Sequence, residues 1–103
     1  MEKHNQLRQK VASGGEASQP SAANMRKFVW DDELETIAQR WTGQCEFGHD
    51  KVRNLCDGTY VGQNAWMYQS TEDDPVGLET AAQSWYDEVT TPGFDSADIN
   101  PFV

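Results

Sequence analysis

The sequence predicts one small domain of mixed α/β class. Three observations point there: two strongly amphipathic helical segments, a Val-, Tyr- and Trp-rich segment between them, and a length of 103 residues that admits a single core. Apolar residues make up 37% of the chain and include four Trp, three Tyr and four Phe, a load that suits a packed core rather than disorder.

The elements follow in order. A first helix is expected over Glu2 to Ala12, with His4, Leu7 and Val11 on one stripe, where His4 is read as structural. It stops at Ser13-Gly14-Gly15, and EASQPSAAN after it is loop by composition. The second helix lies in DDELETIAQRWTGQC, where Leu34, Ile37, Ala38, Trp41 and Cys45 recur at helical spacing and define a buried face. Asp32 with Glu35 three residues on reads as an acidic capping box at the favourable end of the helix dipole. In the third helix Asp74 is expected to cap and Pro75 to take the first position, with Leu78, Ala81, Ala82, Trp85 and Val89 as the buried stripe. LETIAQRW and LETAAQSW are alike because both meet one amphipathic pattern, not because the chain repeats. Between these helices, Tyr60 to Tyr68 reads as a strand, with Gly62 marking a bulge or a close backbone approach. One strand leaves its backbone groups unpaired, and PGFDSADINPFV near the end offers turn-formers in place of a partner. The elements that complete the sheet are therefore expected to be missing from these residues.

Charge narrows the partners. All eight Lys and Arg lie at or before Arg53, whereas nine Asp and Glu follow it, for a net charge of −9. Such a surface repels phosphate backbones, which argues against nucleic acid and anionic membrane. No apolar run approaches the ~18 residues of a membrane span. Met1 is followed at once by polar EKHNQLRQK, so no signal peptide is expected within this chain.

The two cysteines, Cys45 and Cys56, form no CxxC and no zinc framework. A bridge between them would close a loop of twelve residues and contribute about 2–3 kcal/mol. The alternative is that each pairs outside the chain, and both readings stay open. Cys45, on the buried face of the second helix, suits a structural role better than a reactive thiol. His49 sits between the cysteines in GHD, where a loop histidine beside an aspartate is ordinarily a hydrogen-bonded surface residue. Glu88, three residues beyond Trp85, flanks the apolar stripe of the third helix and can serve either a cleft or helix propensity. Ser70, Ser84 and Ser96 lie in no nucleophile motif.

Taken together, HNQLRQKVASG, QPSAANMRKFVWDDELETIAQRW, QCEFGHD, YVGQNAW and SWYDEV resemble, in order and spacing, the CAP superfamily. The likeness is strongest to its arthropod venom antigen 5-like and salivary members. It implies an α-β-α sandwich, with residues 1–103 as a partial CAP domain that lacks the C-terminal strands. It also implies a secreted, disulfide-bonded protein. Family members often hold a divalent metal such as zinc with two His and two Glu in a cleft. By resemblance His49 stands at the first histidine and Glu88 at the second glutamate, while Gln63 replaces the first glutamate as in the antigen 5-like branch. The second histidine belongs to a later GHYTQ-like motif that is not in this sequence. One imidazole, one carboxylate and a neutral amide make an incomplete metal site, since zinc wants three or four N, S or carboxylate ligands, so no bound cofactor is expected. The function implied is non-enzymatic binding of a lipid or sterol, or of a host protein. The competing readings are a metal-dependent, peptidase-like hydrolase working through the His/Glu cleft, and a fragment without function.

Overall fold

The computed structural model describes residues 1–71 and 76–95. The backbone divides into two compact units, Met1–Val29 with Val76–Val103, and Trp30–Pro75. Among the described residues there are three α-helices and no strand: α1 (Glu2–Ala12), α2 (Asp32–Thr42) and α3 (Leu78–Asp87).

In the first unit α1 packs on α3. Among the described residues Ala81 and Ala82, both on α3, are the buried apolar ones, at 6% and 5% exposure. His4 stacks on Trp85 with ring centroids 6.0 Å apart and 21° between planes, so its role is packing. The long loop after α1 is tied back by side chains. The Asn5 amide donates to the Phe28 carbonyl (3.0 Å) and accepts from the Phe28 N–H (2.7 Å), as a neighbouring strand would. Arg8 donates twice to the Arg26 carbonyl, at 2.9 and 2.7 Å, and its guanidinium lies 4.0 Å from the Phe28 ring centroid. These contacts satisfy backbone groups that have no ladder.

α3 starts later than the sequence suggests. Gly77 is its N-cap and Leu78 its first residue; Asp74 and Pro75 lie outside the described residues. Leu78 is 85% exposed, so the expected buried stripe loses its N-terminal member, one turn short of the buried alanines. After Asp87 a wide turn, Val89–Gly93, carries Pro92 and is closed by Gly93 N–H to Glu88 carbonyl (3.0 Å) and Phe94 N–H to Val89 carbonyl (3.1 Å).

In the second unit α2 is capped by Asp31, whose side chain accepts the Leu34 N–H at 2.9 Å. The expected cap, Asp32, is therefore one residue late, and Glu35 reaches the Trp30 indole N–H (2.7 Å) rather than closing a capping box. The helix also ends earlier than its periodicity implies, at Thr42 with Gly43 as C-cap. Cys45 follows at φ +56° and is exposed, so it is not on a buried face of α2. Ile37 and Trp41 are half-buried and Leu34 is 40% exposed: the stripe is present but only partly covered.

Tyr60 to Tyr68 forms no strand. The physical reason is the one that makes a lone strand untenable: its N–H and C=O groups need a partner strand, and none exists among the described residues. What remains of strand character is local. Trp66 and Tyr68, two residues apart, stack at 5.9 Å with 10° between planes, as residues of period two on one side do.

Candidate functional site

The segment that carries His49 is built around Asp50, the one buried polar residue among the described residues. The Asp50 carboxylate accepts the Val52 N–H through Oδ1 (2.8 Å) and faces the Arg40 guanidinium through Oδ2 (3.3 Å). Arg40, in the last turn of α2, also donates to the Val52 carbonyl at 3.0 Å. From the other side Arg53 spreads its planar fork over three acceptors: the Asp50 carbonyl (2.7 Å), the Val61 carbonyl (2.8 Å) and the Tyr60 hydroxyl (2.7 Å). A lysine could not reproduce that geometry. Trp41 of α2 closes the turn by donating its indole N–H to the Gly48 carbonyl (2.9 Å). Two arginines, an aspartate and a tryptophan thus hold one loop against one helix end.

His49 itself is exposed, and its Nδ1 lies 3.0 Å from Gln63 Oε1. The same oxygen accepts the Asp50 N–H at 2.9 Å. A backbone N–H can only donate, which identifies the Gln63 atom as the amide oxygen, and an oxygen with that role requires the proton on His49 Nδ1. Gln63 is therefore an acceptor that orients the imidazole.

His49 and Gln63 are hydrogen-bonded within the second unit. Glu88, the C-cap of α3, belongs to the first unit, where it is exposed on the wall of a cavity of about 350 Å³ with Gln19, Trp85, Tyr86 and Phe94. At His49 the donor set does not fit zinc. The Gln63 oxygen is turned to two N–H donors, and the Asp50 carboxylate to Arg40 and Val52. Among the described residues no three His, Cys, Asp or Glu come together around a point that could hold a metal ion.

Cys45 and Cys56 are both free and exposed, so the bridge between them is not formed. α2 ends before Cys45, and the left-handed residue there carries the chain away from the helix axis. Cys56 is anchored instead at its backbone, where its N–H donates to Glu33 Oε1 at 2.7 Å. The Glu33 carboxylate, helped by some burial and by Asp57, pushes the Cys56 thiol above its ordinary value. Sequence reasoning missed Arg40, Asp50 and Arg53 as the frame of this loop. Asp50 in GHD was the available signal, since an aspartate in a charged loop invites arginine partners, but which arginines reach it depends on the turn between them.

No helix among the described residues is long and apolar enough to cross a membrane. The profile of the family described as "CAP: Cysteine-rich secretory protein family" matches residues 1–100. The chain is 45% identical over 91 residues to "Venom allergen 3 homolog" of Dinoponera quadriceps, covering 84% of this chain and 39% of that protein. It is 42% identical over 102 residues to "Venom allergen 5" of Brachyponera chinensis, covering 94% and 50%, and 43% identical over 104 residues to "Venom allergen 5.02" of Dolichovespula maculata, covering 96% and 45%. The chain thus spans about half the length, or less, of these curated relatives. No solved structure matches it. A profile match over nearly every residue decides the matter: the chain belongs to the cysteine-rich secretory protein (CAP) family.

Proposed function

We propose that this chain is part of a secreted, non-enzymatic binding protein of the venom antigen 5 type, whose ligand is a lipid or sterol, or a host protein. The likeness to venom allergens over most of the chain supports the type. The observation that carries the non-enzymatic reading is the His49–Gln63 hydrogen bond. A general base is itself oriented by a third group and acts on a nearby nucleophile or water. Here the orienting group is a neutral amide, which cannot stabilise an imidazolium as a carboxylate does. Among the described residues no hydroxyl, thiol or carboxylate is hydrogen-bonded to the His49 ring. In this reading the whole domain is an α-β-α sandwich in which His49, Gln63 and Glu88 line a cleft.

The test is direct. The chain is titrated with the fluorescent sterol dehydroergosterol and with palmitate, and in parallel incubated with a quenched-fluorescent casein substrate with and without zinc. Saturable lipid or sterol binding, or retention of a secreted host protein, without substrate cleavage is the expected result. Cleavage that disappears in His49→Ala and in chelator would establish the hydrolase instead.

A further inference from the structure

We propose that the cavity of the first unit walled by Trp85, Tyr86, Glu88 and Phe94 binds a small organic cation, an alkyl- or arylalkylammonium. Its volume, about 350 Å³, falls in the ~300–1,000 Å³ range of small-molecule sites. The lining combines three aromatic residues, Val89 and Pro92 with a single acidic side chain, that of Glu88. Glu88 is exposed, and among the described residues its carboxylate has no hydrogen-bond or ion-pair partner.

An aromatic face carries negative charge density and attracts an ammonium, more strongly as water is excluded. A carboxylate on the same wall adds a full charge of the same sense. No Lys or Arg is among the residues that line the cavity. The molecule already shows this recognition on one of the same rings: the Lys10 ammonium lies 5.1 Å from the Tyr86 centroid. That ammonium is paired with Glu16 at 3.5 Å, so its charge is largely offset. A neutral apolar ligand would meet the same aromatic faces but gain nothing from the exposed Glu88 carboxylate.

The wall is held by a side-chain hydrogen bond and by the turn. The Gln19 amide donates to the Phe94 carbonyl at 2.8 Å, and the turn Val89–Gly93 returns the chain through Gly93 at φ +100°. A Cβ there would find open space, but L side chains avoid that φ, so glycine is required for the turn that brings Phe94 to the cavity. The proposal does not depend on the reading of His49 and Gln63 and goes beyond it by naming a charged ligand.

The experiment is an NMR titration of the ¹⁵N-labelled chain with benzyltrimethylammonium, and with benzyl alcohol as its neutral counterpart. The expected result is saturable shifts at the Trp85 indole and the Gly93 and Phe94 amides, with dissociation constants of about 1 mM. Benzyl alcohol should bind about tenfold more weakly, and Glu88→Gln should weaken the cation about tenfold while leaving the alcohol unchanged. Phe94→Ala should weaken both. Equal binding of the two probes, insensitivity to Glu88→Gln, shifts confined to other residues, or no saturation would each overturn the proposal. If Phe94→Ala disturbs the spectrum, Glu88→Gln decides, because its side chain is exposed and its shape conserved. Dehydroergosterol binding is scored separately, so failure of the lipid reading leaves this result intact, and the reverse.

Discussion

Replacing Asp50 by alanine should loosen the turn that presents His49, by an amount its contacts allow to be worked out. The Asp50 carboxylate holds the Val52 N–H at 2.8 Å and faces Arg40 at 3.3 Å. A hydrogen bond from a backbone amide to a charged acceptor is worth ~1.5–3 kcal/mol. Arg40 is 59% exposed in its side chain, so solvent screens the ion pair to ~0.2–1 kcal/mol. Together they come to about 1.7–4 kcal/mol of local stability, or about 15- to 700-fold in the opening equilibrium at tenfold per ~1.4 kcal/mol. The backbone bonds from Arg53 to the Asp50 carbonyl and from the Asp50 N–H to Gln63 survive the substitution, which confines the effect to the Val52 side of the turn. Amide hydrogen exchange read by NMR is the suitable assay, because it reports local opening residue by residue. The Val52 amide should exchange about 15- to 700-fold faster in Asp50→Ala. Asp50→Asn retains an acceptor oxygen and loses only the charge, so it should accelerate exchange by less than about tenfold. If the two variants were equally damaging, or if Val52 exchange did not change in either, the carboxylate would not be holding the turn and the reasoning would fail.

Three further outcomes are expected. The Glu16 carboxyl is held at about 2, chiefly by the Tyr86 hydroxyl, then by Ser18, with Lys10 adding to it, against an ordinary value of 4.5. Its folded value is depressed, so the stabilising contact is complete above about pH 4.5 and fades as pH falls toward 2; Tyr86→Phe should move the Glu16 midpoint upward in a carboxyl NMR titration, and an unmoved midpoint would refute the contact. Alkylation with iodoacetamide at mild alkaline pH, followed by peptide mass mapping, should modify Cys45 before Cys56, and Glu33→Gln should speed Cys56 by removing the carboxylate that keeps its thiol protonated. Asp31→Ala should cost about 1 kcal/mol of helix stability, measured by circular dichroism, while Asp32→Ala costs less than about half as much, because it is Asp31 whose side chain caps Leu34.

The helices were legible in the sequence because a helix satisfies its own backbone. α1 begins and ends at the predicted residues, since the stripe of His4, Leu7 and Val11 and the Ser13-Gly14-Gly15 stop are all local signals. α2 and α3 were legible as elements but not at their ends. Whether Asp31 or Asp32 caps depends on a single turn of φ and ψ, and the apolar pattern ran on to Cys45 although Gly43 ends the helix. The family, too, could be recognised from ordered blocks such as AANM and VGQNAW, because long matches in register rarely arise by chance. Only the tertiary structure decided what depends on residues far apart in the chain. Tyr60 to Tyr68 has strand composition and no strand, because a ladder needs a second chain segment and propensity cannot supply one. Gln63 stands by resemblance where many members carry a glutamate, but only the fold shows its oxygen facing the His49 ring and the Asp50 amide. Arg53 gave no sign in the sequence of joining the Asp50 turn to Val61 and Tyr60. A side chain's type limits the bonds it can form, but the fold alone brings the acceptors within its reach.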